Sequence, residues 1–349
     1  MAYNVLILGA SYGSLLSTKL LMAGHNVTLV CLPEEAELIN DKGTIVRIKL
    51  RGDADFTVLM SSAFPGNLKA ITPAEAKPED FDLVGFAMQE PQYRVDEIKG
   101  LLSKIAKSGK PCLSIMNMPP LPYLKRFKGL DHKELEACYT DASVWSDFDP
   151  ALVTLCSPDP QAVRPPTEGL NVLQVGLPTN FKAAAFDETS HTDILRQLET
   201  DIGNVRLIDR DVPVKLRTFD SIFVPIAKWS MLLTGNYRCI TRGDVQPIKA
   251  AVHGDVEQSR AIYEWVNELA RDLGADLSDQ VPFEKYATAA ENLLNPSSAA
   301  RAVYAGAPYI ERVDRVVQMI GRQRNMQSPV IDEIVATVDE KLKQNREAA

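Results

Sequence analysis

From Val5 to Leu8 the chain is apolar without interruption, and the every-second-residue alternation of a half-exposed strand is missing. A short run of this kind predicts a strand buried on both faces, as parallel strands are. It stops at Gly9, and apolar positions then recur at helical spacing over 13–23. GHNVTLVCL (24–32) reads as a turn glycine and a second strand, and PEEAELINDKG as a short helix closed by Gly43. TIVRIKL and FTVLM read as a strand pair. DLVGFAM (82–88) and KPCLSIM (110–116) are two more buried strands, with a helix between them at about 93–107. Strands and helices alternating through short connections predict a doubly wound parallel sheet.

After residue 118 the pattern loosens. NMPPLPYLKRF and SPDPQAVRPP are irregular and rich in proline, ALVTLC and LNVLQVG read as strands, and TDILRQLETDIG with VRLID as one more helix–strand unit. Beyond Pro213 long helical patterns replace strand-like ones. The reading is therefore a Rossmann-type α/β domain over 1–212 and an all-α domain over 213–349.

Composition narrows the partners. The 349 residues carry a formal net charge of −8, which disfavours nucleic acid and anionic membrane as ligands. No apolar run approaches the roughly 20 residues of a membrane helix, and the N-terminus shows no signal-peptide pattern. The five cysteines are scattered without CxxC spacing and there are four histidines. Reduced thiols in a cytoplasmic protein with no metal site are expected.

The first candidate chemistry lies where the first strand ends, at Gly9, Ala10, Ser11, Tyr12 and Gly13. A helix N-terminus presents unpaired N–H groups and a partial positive charge, which suit a pyrophosphate. Small residues let the backbone approach it. All these residues but Tyr12 are small, so the turn serves a dinucleotide or is a plain β–α turn. Ser11 or Ser14 would add a hydroxyl donor. Gln89 and Asn117 follow the carboxyl ends of two neighbouring strands, where ligands of such sheets bind. The second strand ends in VCLPEE, with neither an Asp for a ribose hydroxyl nor an Arg for a 2′-phosphate. Glu34 and Glu35 either repel a 2′-phosphate or merely favour the helix dipole.

GSLLSTKLLMAGHNVTLV resembles the start of the ketopantoate reductase family, GAGAxGSxLAxxLAxAGHxVTLV, with a turn one residue shorter. DLVGFAMQEPQ is similar to the family's DLVLVAVKxxQ and CLSIMNMPP to its VLSLQNG. NPSSAARAVYAGAPYIERVDRVVQMIG is similar to its PSMxxDxxxGxPTEIDxxNGxVVxxG. The middle, about 118–210, has no clear counterpart. The resemblance implies a helical second domain of the 6-phosphogluconate dehydrogenase C-terminal type, a homodimer, and NADP or NAD as cofactor, with Leu32 near the family's 2′-phosphate Arg. It implies hydride transfer to a small 2-keto acid. The family's proton-donating Lys, in W-x-K-L-x-x-N, has Met231 in its place. Lys228, three residues earlier, is either the substitute donor or a surface lysine. Asn236 matches the family's Asn one residue late, Ser297 and Ser298 its substrate-binding Ser or a helix cap, and Glu311 its hydroxyl-binding Glu. Tyr237, with Arg238, is a candidate for a substrate carboxylate. Two further readings stand: reductive amination of the opine dehydrogenase kind, for which His191 and His253 lie outside any matching motif, and a non-catalytic dinucleotide sensor.

Overall fold

Strand β1 (Asn4–Leu8) leads through the Gly9 turn into α1 (Gly13–Met22), then β2 (Asn26–Val30) and α2 (Pro33–Lys42). A hairpin of β3 (Ile45–Ile48) and β4 (Thr57–Met60) precedes β5 (Leu68–Ile71), β6 (Leu83–Phe86), α3 (Asp96–Ser108) and β7 (Cys112–Ile115). Short helices α4 (Leu121–Leu124) and α5 (His132–Leu135) follow, then β8 (Val153–Ser157), β9 (Gln161–Val163), β10 (Val172–Leu177) and β11 (Phe181–Ala184). Helix α6 (Thr189–Asn204), the two-residue strands β12 (Arg206–Leu207) and β13 (Arg210–Asp211), and β14 (Leu216–Phe219) complete the α/β part. This is a computed structural model and describes residues 2–348.

The main sheet has the order β14-β11-β8-β7-β6-β1-β2-β5. From β8 to β5 all neighbours are parallel, and β11 turns antiparallel to β8. The chain winds outward from β1 through β2 to β5, then returns to the other side of β1 with β6. The switch point lies at the carboxyl ends of β1 and β6, where such sheets hold ligands. The doubly wound sheet is as the sequence predicts, with two antiparallel-running strands added at one edge. A second sheet, β4-β3-β10-β9, shares a core with it. Leu16 and Leu20 of α1 join Val5, Ile7 and Leu29 of the main sheet and Val46, Ile48 and Leu173 of the second. Packed between the two sheets, α1 is buried from Gly13 to Leu21, and each leucine so buried contributes about 1.5–3 kcal/mol.

One lysine is caught in this layer beside the buried hydroxyls of Ser14, Ser17 and Thr18. Lys19 of α1 is 1% exposed, and its Nζ donates to the Pro213 carbonyl at 2.7 Å. Burial, reinforced by Lys215, lowers its pKa to about 7. The folded chain therefore binds fewer protons than the unfolded one between pH 7 and about 10, so stability rises across that window. Below pH 7 the whole cost of the buried charge is present, roughly 3–5 kcal/mol. Lys19→Met is expected to be more stable than wild type at pH 6, with the gap closing toward pH 10 in urea denaturation. A gap that stays constant with pH would contradict this account.

The chain divides into two compact units. One holds residues up to Met88, Gln92–Arg126 and Ser143–Ile222; the other holds Gln89–Pro91, Phe127–Ala142 and everything from Phe223. The expected boundary at 212 falls short by one strand. Leu216–Phe219 pairs with Phe181–Ala184 in parallel, and only Leu216 of the four is buried, so the sequence offers little strand signal. The second unit contains α7 (Lys228–Met231), a π-helical turn (Leu232–Asn236), and helices α8 (Ile248–His253), α9 (Val256–Asp272), α10 (Phe283–Ala290), α11 (Ser298–Tyr304), α12 (Val313–Gln323) and α13 (Pro329–Ala348). No strand lies beyond residue 219 among the described residues. Nor is any helix there long and apolar enough to cross a membrane.

Candidate active site

In the first unit the Gly9 turn closes the switch point. Gly9 has φ +98°, and its amide donates to the Val30 carbonyl at 2.9 Å, tying the turn to β2. A Cβ at Gly9 would lie 2.8 Å from the Ala87 carbonyl oxygen, so glycine is required here twice over. Ala10 is buried and Ser11 exposed. Tyr12 caps α1 with helical dihedrals, and no side chain caps the helix. The Leu15 amide reaches the Tyr12 carbonyl at 3.2 Å, and no side-chain oxygen caps the amides before it. The Ser14 hydroxyl donates to the Ala10 carbonyl, which leaves Ser11 as the turn's candidate hydroxyl for a phosphate. The Tyr12 ring turns elsewhere. Its hydroxyl donates to the carbonyls of Pro158 and Pro160 and its edge meets Phe181 at 6.0 Å, so it pins the loop after β8 to the turn.

Gly13 packs this turn onto the sheet. A Cβ there would come 2.7 Å from Ile7 Cγ2, inside the core. Gly13→Val is expected to cost about 1–3 kcal/mol by overpacking and to weaken dinucleotide binding at least about tenfold by lifting the helix N-terminus. Fluorescence titration of the folded variant checks this; unchanged affinity would show that the turn is not a pyrophosphate site.

At the end of β2, Leu32 caps α2 and is 70% exposed. Glu35, in the first turn of α2, is buried and forms an ion pair with Arg164, just beyond β9. The acid that seemed to stand against a 2′-phosphate is therefore neutralised by a guanidinium from 129 residues further on. That pair had no signal in the sequence. Asn117 follows β7 and is half-buried; Gln89 follows β6, is exposed, and groups with the second unit. The Met88 amide donates to the Tyr93 hydroxyl, and Tyr93 lies in an aromatic cluster with Phe86 and Trp145, which fixes the end of β6.

In the second unit the remaining candidates converge. The Ser297 hydroxyl donates to the Asn236 carbonyl at 2.8 Å and accepts from the Ala300 amide, capping α11. The Tyr237 hydroxyl donates to the Glu311 carbonyl at 2.6 Å and accepts from the Val313 amide at 2.9 Å. Asn236, Tyr237, Ser297 and Glu311 are thus brought together, and Ser298 points outward, exposed. Lys228 opens α7 and is half-buried. Two assignments need correction. Tyr237 is 3% exposed with its hydroxyl fully engaged, so it anchors α12 and does not meet a substrate carboxylate. Arg238 is held by the Ser259 hydroxyl, the Gln258 amide and the Thr234 carbonyl, a structural set as well. Ser297 spends its hydroxyl as a cap, in line with the plainer of its two readings.

The five cysteines are buried and unpaired by disulfides. No group of three or more His, Cys, Asp or Glu gathers as metal ligands among the described residues.

No protein-family profile matches the sequence, and no curated protein matches it. Solved structures do. A protein from Ralstonia solanacearum MolK2 assigned as a ketopantoate reductase superposes with a TM-score of 0.69 at 15% identity, covering 99% of each chain. The 2-dehydropantoate 2-reductase of Methylococcus capsulatus gives 0.68 at 14%, covering 98% of this chain and 97% of that one. A D-mandelate dehydrogenase bound to NADH and anilino(oxo)acetate gives 0.64 at 15%, with 98% and 99% covered. From end to end the chain has the fold of the ketopantoate reductases and of D-mandelate dehydrogenase: a Rossmann-type sheet followed by a helical region.

Proposed function

We propose that the protein is an NAD(P)H-dependent oxidoreductase acting on the carbonyl of a small 2-keto acid or a similar substrate. The observation that carries this is the Gly9–Gly13 turn at the switch point of a Rossmann-ordered sheet, within a chain that shares its fold over 97–99% of its length with such reductases. The turn amides and Ser11 would hold the pyrophosphate, exposed Leu32 at the end of β2 would face the adenosine half, and Gln89 and Asn117 would serve the nicotinamide half and the substrate. The nicotinamide, when bound, supplies the hydride. Asn236 and the Glu311 carboxylate bind the substrate, and Lys228 delivers a proton to the oxygen that gains charge, a group the position of Met231 cannot supply.

Arg164 supports NADPH over NADH. Glu35 takes one nitrogen of this guanidinium beside the end of β2, the rest of its fork would suit a 2′-phosphate, and a charge-assisted hydrogen bond is worth about 1.5–3 kcal/mol. Arg164→Met is expected to weaken NADPH binding about 10- to 100-fold and NADH little; an equal loss for both would contradict the assignment. The dimeric ketopantoate reductase of Staphylococcus aureus, similar at a TM-score of 0.61 and 11% identity, supports a homodimer for this chain.

The direct test is absorbance at 340 nm with NADPH and a panel of 2-keto acids. Turnover with a keto acid alone is expected. A requirement for an added amino acid would select the opine type of reaction, and binding without turnover a sensor.

A further inference from the structure

Met231 and Asn236 are five residues apart, where the resembled family has four between its lysine and asparagine. The structure shows where the extra residue goes. Leu232–Asn236 form a π-helical turn, closed by the Tyr237 amide on the Leu232 carbonyl. A five-residue step closes one π-turn as a four-residue step closes an α-turn. The turn absorbs the insertion, and Met231 and Asn236 still lie one turn apart on one face, with Lys228 on the preceding turn. Two features outside the helix hold it. The Tyr286 hydroxyl donates at 3.1 Å to the carbonyl of Met231, the residue that caps the turn at its start. Gly235 makes room for it, since a Cβ there would lie 2.0 Å from that hydroxyl. The Tyr286 ring is buried and stacked on Tyr263, centroids 5.5 Å apart, and the Tyr263 hydroxyl is fixed on the Val281 carbonyl. Within the turn, the Thr234 hydroxyl is buried without a hydrogen-bond partner.

We infer that Tyr286 is a positioning residue, the latch of a π-turn that keeps Asn236 in register with Lys228. This rests on the reductase reading for its consequence, though not for the latch itself. The latch is read by hydrogen exchange of the 231–237 amides, and its consequence by kinetics. Tyr286→Phe is expected to speed exchange in this segment and to lower kcat about 10- to 100-fold, as small misplacements of site groups do, with NADPH affinity unchanged. Deleting Thr234 in the Tyr286→Phe background converts the turn to an α-turn and is expected to restore kcat to within about threefold of wild type, a recovery no mere stability effect would give. Gly235→Ala, which pushes the tyrosine away, is expected to reproduce the loss if Tyr286→Phe fails to fold. Unchanged exchange and kcat in Tyr286→Phe, or no recovery on deletion, would overturn the inference. Faster exchange in a protein whose wild type reduces no keto acid would keep the latch and defeat the reductase reading instead.

Discussion

Replacing Lys228 by methionine is expected to lower kcat by about 10²–10⁴, the usual contribution of a positioned acid, and to leave NADPH affinity within about twofold. Hydride addition to a carbonyl leaves an alkoxide, and an unneutralised charge in a closed site is costly. Met231 carries no proton to give. Lys228 opens the same short helix, three residues earlier, nearly one turn away on the same side. Single-turnover absorbance at 340 nm separates the chemical step from binding. Full activity in the variant would return Lys228 to the surface and leave Glu311 or an ordered water as the donor; the Tyr237 hydroxyl is excluded, being engaged on both sides.

The largest effect on stability is expected at Asp314. Its carboxylate is fully buried and takes two hydrogen bonds from Arg312, both at 2.9 Å; Asp339 takes a third at 2.5 Å. Arg312 is buried too, so its charge depends on these carboxylates, which raise its pKa above the ordinary value despite burial. Asp314→Ala removes the fully buried, bidentate side of this pairing and keeps the contact to half-exposed Asp339. Breaking a buried pair from one side costs about 3–5 kcal/mol. Asp339→Ala is expected to cost less, because the bidentate contact survives. Urea denaturation followed by circular dichroism measures both; a loss under about 1 kcal/mol for Asp314→Ala would contradict the account. The consequence reaches the site, since Asp314 adjoins Val313, whose amide holds Tyr237.

What could be read from the residues alone follows from range. The continuous apolar runs of β1, β6 and β7 and the small residues of the Gly9 turn are local signals, and the parallel sheet follows from them. Ser297 as a cap is local as well. The Glu35–Arg164 pair spans 129 residues and joins helix α2 to the end of β9, so no spacing betrays it. The five-residue step from Met231 to Asn236 was visible as a mismatch, but its meaning depends on Tyr286, 55 residues from Met231. Tyr237 looked like a ligand residue because, with Arg238, it follows Asn236, and an arginine fork suits a carboxylate. Its hydroxyl is consumed by backbone groups at the start of α12, the Glu311 carbonyl and the Val313 amide, which sequence does not show. Strand β14 was missed because it lies at the sheet edge, with three of its four side chains at least partly exposed.

Calorimetric titration of the purified protein with NADPH and with NADH tests the central claim most directly. The account predicts saturable binding of one dinucleotide per chain, tighter for NADPH, and at least about tenfold weaker binding in Gly13→Val than in wild type. No heat of binding with either dinucleotide from a folded wild-type protein would contradict it.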